Sequence, residues 1–166
     1  MRNFVAFPIL GLVALLQSSA VSQIQLLSGY ADLPMVLLAA WALQDRVKSA
    51  WHWSAVACLM VGFLSRLPWP VYLSGYLGIV LIAQTMQKRV WQAPMLAMFG
   101  VTFAGTVFMH LLSFAILRLS GTPLGIMEVM GSITLPSLLL NMLFSIPVFG
   151  MMRDLSKLVY PIEAAE

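Results

Sequence analysis

The stretch Ile133–Arg153, ITLPSLLLNMLFSIPVFGMMR, decides the fold class. No charged side chain falls between Ile133 and Met152. At ~1.5 Å per residue, a helix of this length crosses the ~30 Å hydrocarbon layer of a bilayer. Arg153 and Lys157 follow at once, as expected of a helix end held on the cytoplasmic side. Pro136, Asn141 and Pro147 interrupt the run, and a plain anchor needs none of them.

The rest of the chain repeats this theme. Of its 166 residues 61% are hydrophobic and only 9% charged, against about 25% charged in soluble domains. No hydrophilic stretch is long enough to fold alone, so the reading is a single all-α, polytopic membrane domain spanning 1–166. The net charge of +3 does not point to nucleic acid, because the basic residues sit in short loops where they set topology and meet anionic lipid. Cys58 is the only cysteine and there are two histidines, far apart, so no disulfide framework and no metal cluster are expected.

The pattern predicts six transmembrane helices, at about 3–21, 26–44, 50–65, 71–87, 94–117 and 133–152. Ser18-Ser19-Ala20 resembles a signal-peptidase site, but an uncleaved first span is the favoured reading, since everything after it is also membrane. Asp32-Leu33-Pro34 reads as a helix start, with Asp as the N-cap and Pro in the first turn. The apolar run from Pro34 to Leu43 is short. It must borrow residues from about Leu26, thin the bilayer, or lie buried among neighbours. Trp51, His52 and Trp53 read as an interfacial aromatic belt, with Trp91 at a later return. Ser74, Gly75 and Gly78, and the pair Gly100 and Ala104, place small residues where a neighbouring helix can come close. Pro123–Met130 reads as an amphipathic segment lying along the membrane surface.

Seven of the nine basic residues (Arg2, Arg46, Lys48, Lys88, Arg89, Arg153, Lys157) fall on one side under six spans, and Arg66 and Arg118 on the other. This bias predicts that both termini are cytoplasmic.

The predicted span cores hold no Asp, Glu, Lys or Arg, whereas ion-coupled transporters usually place an ionisable group at membrane depth. His110 is the one titratable candidate within a span, and a hydrogen bond to a neighbouring helix is its favoured role; His52 reads as structural. Asn141 needs a partner in hydrocarbon, either within the bundle or on another chain. Pro147 has no N–H and its ring clashes with the Leu143 carbonyl, so it predicts a kink and a groove beside it. Met127, Met130, Met151 and Met152 are adaptable side chains near the ends of the last span, suited to docking or to plain packing. No phosphate loop, nucleophile elbow or carboxylate pair is visible, so no catalytic residue, cofactor or metal is expected. Asn141, Pro147, Phe149, Met151, Gly75 and Gly78 are the candidate partner-binding residues.

Several of these stretches resemble the MreD family of bacterial rod-shape-determining membrane proteins. Leu16-Gln17-Ser18, Ala31-Asp32-Leu33-Pro34 and Tyr72–Gly78 are similar to its short motifs. Leu140-Asn141, Pro147-Val148-Phe149 and Arg153 resemble its closing Asn, Pro and Arg pattern, the best of the matches. The family often carries an acidic residue near the outer end of the third span; Ser65-Arg66 stands there instead. The resemblance implies a non-catalytic scaffold in the bacterial inner membrane. It implies an MreC-like partner within a cell-elongation complex that also holds RodA and a class B penicillin-binding transpeptidase, together with membrane lipid. An alternative of another class is the substrate-binding membrane component of an energy-coupling-factor vitamin transporter, with His110, Arg66, Trp69 and Asn141 as candidate contacts.

Overall fold

A computed structural model describes residues 5–48, 50–65, 67–89, 93–123 and 125–161. Arg2, Arg66 and Trp91 lie outside these ranges, as does Leu124. Within them the chain is all-helical, with six helices making up 82% of the structure. They are α1 (Ala6–Ser19), α2 (Leu33–Ala42), α3 (Ala50–Leu64), α4 (Trp69–Arg89), α5 (Pro94–Leu119) and a long rod, α6 (Ile126–Val159). With the 3-10 turn Val21–Gln23 included, α1 is one of four helices long and apolar enough to cross a membrane; α4, α5 and α6 are the others. The chain is thus built as a multi-pass membrane protein. At 10 and 15 residues, α2 and α3 are shorter. The expected second span, 26–44, is helical only over Leu33–Ala42, about 15 Å of rise.

That short helix is the centre of the molecule. All ten of its residues are buried. Of the three ways expected to accommodate its length, enclosure among neighbours is the one seen. The other five helices form a ring around it in the order α1, α3, α4, α5, α6, each packed on the next and each touching α2. The ring is not closed, because α6 and α1 make no extended contact with each other. Helix packing in lipid gains little from the hydrophobic effect, so close approach of backbones and fit of side chains must hold the ring.

The glycines show where that approach is closest. A Cβ on Gly75 would run into the Met109 sulfur, and one on Gly78 would meet Phe108 Cε1 at 2.5 Å, so both bring α4 against α5. Gly105 of α5 faces Ile79 and Met35 in the same way. Gly100, by contrast, has open space where a Cβ would stand, so the Gly100 and Ala104 pair is not the contact expected of it. Trp41 of α2 stacks on Trp53 of α3 with ring centroids 4.2 Å apart. Trp53 is therefore core and not part of an interfacial belt; Trp51 and His52 remain exposed.

Two elements depart from simple spans. Before α2 the chain makes a two-stranded hairpin, Gln25–Leu26 against Gly29–Tyr30, which turns through Leu27 at φ 54°. Its amides are met by α6: Ser28 N–H donates to the Ser132 carbonyl at 3.1 Å and Tyr30 N–H to Ser137 Oγ at 3.0 Å. Gly29 makes this docking possible, since a Cβ there would lie 2.7 Å from both Ile133 O and Ser137 N. Non-helical backbone among membrane helices is tolerated only when it is satisfied by protein in this way. The second departure lies in α6, where Val129–Thr134 is a π-helical turn between Ile126–Glu128 and Leu135–Val159. The expected surface segment Pro123–Met130 is thus largely the first turns of the last helix. That helix runs past both ends of the predicted 133–152.

Candidate functional site

The break in the ring between α1 and α6 is an apolar cleft of about 830 Å³. Its walls are Ile9, Leu12 and Leu16 on α1 and Phe144, Pro147 and Met151 on α6, and Leu33 and Leu37 of α2 form its floor. The helix continues through Pro147, although proline has no N–H to donate to the Leu143 carbonyl. Leu12 is 60% exposed and Met151 66%. A packed helix is about 10 Å across, so the cleft holds the volume of about two helical turns.

The candidate partner-binding residues divide between several places. Pro147 and Met151 line this cleft, as do Met152 and Val148. Phe149, on the opposite side of α6, is buried beside a second cavity of about 310 Å³, where Arg46, Arg153, Lys157 and Gln87 gather at the end of the bundle. Gly75 and Gly78 are taken up by α5 within the chain. Met127 is 84% exposed and Met130 partly buried, both away from the cleft.

Asn141 is 1% exposed and points into the bundle. Its Oδ1 accepts the Asp32 N–H at 2.7 Å and its Nδ2 donates to Thr106 Oγ1 at 3.0 Å. Thr106 passes its own proton to the Thr102 carbonyl at 2.7 Å. One amide thereby ties α6 to α5 and to the start of α2. His110 makes the expected interhelical bond, with Nδ1 at 3.0 Å from Thr134 Oγ1. Thr134 already donates to the Val129 carbonyl inside the π turn, which leaves the proton of the His110 contact to the ring. Trp69 packs its indole over Gly62. His110, Trp69 and Asn141 are therefore not gathered around a common cavity.

The start of α2 carries a site that sequence reasoning missed. Asp32 Oδ1 accepts the Met35 N–H at 3.0 Å, the N-cap expected from Asp32-Leu33-Pro34. Gln17 braces the same turn, donating to the Ala31 carbonyl at 2.8 Å and accepting from Leu33 N–H at 2.9 Å. Asn141 links the Asp32 amide to Thr106, near the middle of α5, and the Asp32 side chain is partly buried between the helices. Beside it opens a cavity of about 270 Å³ lined by Gln17, Ser18, Ser22, Tyr30, Ser65, Tyr72 and Tyr76 among others. Tyr72 shares a 2.6 Å hydroxyl contact with Ser65. The fully buried Tyr76 hydroxyl lies near the Asp32 carboxylate but outside hydrogen-bond geometry, with no partner. The helix-start pattern was the only signal of this site in the sequence; nothing in it brings Tyr76 to Asp32.

No protein-family model, curated protein or solved structure matches the chain.

Proposed function

We propose that the chain is a non-catalytic scaffold of the bacterial cell-elongation complex, a six-span inner-membrane protein of the MreD type with both termini in the cytoplasm. In this reading the end of the bundle bearing Arg46, Lys48, Arg89, Arg153 and Lys157 faces the cytoplasm, in keeping with the charge bias of the loops. The partner is an MreC-like protein, whose membrane helix occupies the cleft between α1 and α6. RodA and a class B penicillin-binding transpeptidase join the same assembly. The observation that carries the reading is the unclosed ring: an open cleft with apolar walls, a floor made by the central helix, and Pro147 and Met151 on its rim. Met suits such a rim because its unbranched thioether repacks around a partner.

Co-expression and co-purification with an MreC-like partner test this. Cysteines placed by Leu12→Cys and Met151→Cys in a Cys58→Ser background should cross-link to the partner's membrane segment, and Pro147→Ala should weaken retention. A detergent-solubilised protein that never retains such a partner would remove the reading.

A further inference from the structure

We propose that the cavity at the start of α2 binds a small ligand bearing an organic ammonium group, with the Asp32 carboxylate as counter-charge and the Tyr72 and Tyr76 rings as walls. The site stands apart from the α1–α6 cleft and does not depend on the scaffold reading.

The first ground is unmatched charge. Among the described residues no Lys, Arg or His lines the cavity, and the salt bridges found there, Arg153 and Lys157 with Asp154, lie at the far end of α6. Asp32 spends one oxygen on the Met35 amide, where the positive end of α2 helps it. A carboxylate partly withdrawn from water between membrane helices still favours a counter-ion. The second ground is the Tyr76 hydroxyl, wholly buried, lining the cavity, and left without a hydrogen-bond partner. Buried hydroxyls are nearly always bonded, so an unmatched one at a cavity wall marks a place that a ligand completes. The third is the pair of rings. Tyr72 and Tyr76 have centroids 5.7 Å apart and planes inclined at 55°, an aromatic corner beside a carboxylate. Such corners hold ammonium groups through the negative faces of the rings.

Other ligand classes fit less well. An anion is repelled by Asp32, and a neutral polar molecule leaves its charge unmatched. A bare metal ion would find a single carboxylate, and no group of three His, Cys, Asp or Glu exists among the described residues. The volume of about 270 Å³ exceeds the ~150 Å³ that accepts benzene, so an amine of several heavy atoms enters with room for water. The serine oxygens of Ser18, Ser22 and Ser65 would meet its polar remainder. The ammonium can come from a free amine or from an ethanolamine lipid headgroup.

The test uses the full chain purified in dodecyl maltoside, which carries no ammonium. Calorimetric titration with n-butylammonium should show binding where n-butanol at equal concentration shows none. Asp32→Asn keeps a good helix cap and should weaken n-butylammonium by about tenfold or more. Tyr76→Phe keeps the ring and should weaken it by about three- to tenfold. Dihexanoylphosphatidylethanolamine binding tighter than free ethanolamine would identify the lipid as the source, and the reverse order a soluble amine; either supports the site. The proposal is overturned if the wild-type chain binds neither amine nor ethanolamine lipid, if butanol binds as well as butylammonium, or if Asp32→Asn binds undiminished. Should Asp32→Asn fail to fold, the wild-type comparison of amine with alcohol and the Tyr76→Phe variant decide the matter.

Discussion

Replacing Asn141 with Leu removes a group that serves three helices at once. The partly buried Asp32 amide loses its 2.7 Å acceptor. A buried donor left unmatched costs about 1–3 kcal/mol. The 3.0 Å bond to Thr106 is lost as well, and interhelical side-chain bonds of this kind contribute about 0.6 kcal/mol in membrane proteins. Thr106 itself is not orphaned, because it still donates to the Thr102 carbonyl. The sum is a destabilisation of about 2–4 kcal/mol. Unfolding by SDS titration in mixed micelles, followed by tryptophan emission, measures it. A double-mutant cycle with Thr106→Val isolates the side-chain bond, and its coupling should be about 0.5–1 kcal/mol. An Asn141→Leu protein within about 0.5 kcal/mol of the wild type, or a cycle with no coupling, would show that this amide does not hold the three helices together.

Gly29→Ala should be severe, by more than about 2 kcal/mol, because the new methyl meets the backbone of α6 at Ile133 and Ser137, which cannot swing aside as a side chain can; thermal melting checks it. Gly75→Ala should cost about 1–3 kcal/mol, since the flexible end of Met109 must move, and Gly75→Leu considerably more as α4 is pushed from α5; equal effects of the two in SDS unfolding would contradict the close contact. Cys58 is fully buried, so N-ethylmaleimide should leave the folded protein unlabelled and modify it only after unfolding, as read by intact mass.

Much of the helical framework was legible in the sequence because caps and prolines speak locally. Asp32 caps α2 and Pro94 opens α5 where the residues indicate. Which helix lies at the centre was not legible. In a bilayer, lipid-facing and core-facing positions are equally apolar, so periodicity carries little sense of inside and outside. The run Leu33–Ala42 differs little in character from a lipid-facing one, yet every residue of it is enclosed. Trp51 and Trp53 have the same chemistry, and only the ring's geometry turns Trp53 onto Trp41. Gly131 and Ser132 read as loop residues, but in the fold they belong to a π turn, Val129–Thr134, whose Ser132 carbonyl receives a hairpin amide and whose Thr134 meets His110. At the candidate site the proline and methionine of α6 were visible from the chain. The partnership of Asp32 with tyrosines from a distant helix was not, because tertiary packing alone brings them together.

The encased position of α2 also dictates an order of events during synthesis. This helix is too short to settle in a bilayer by itself, and the amides leading into it are received by Ser132, Ser137 and Asn141. Those acceptors belong to α6, which leaves the ribosome well after α2. A nascent chain that has not yet reached them carries bare amides beside lipid, so the middle of the molecule must wait, held by the insertion machinery or at the membrane surface, until α6 arrives and locks it in place.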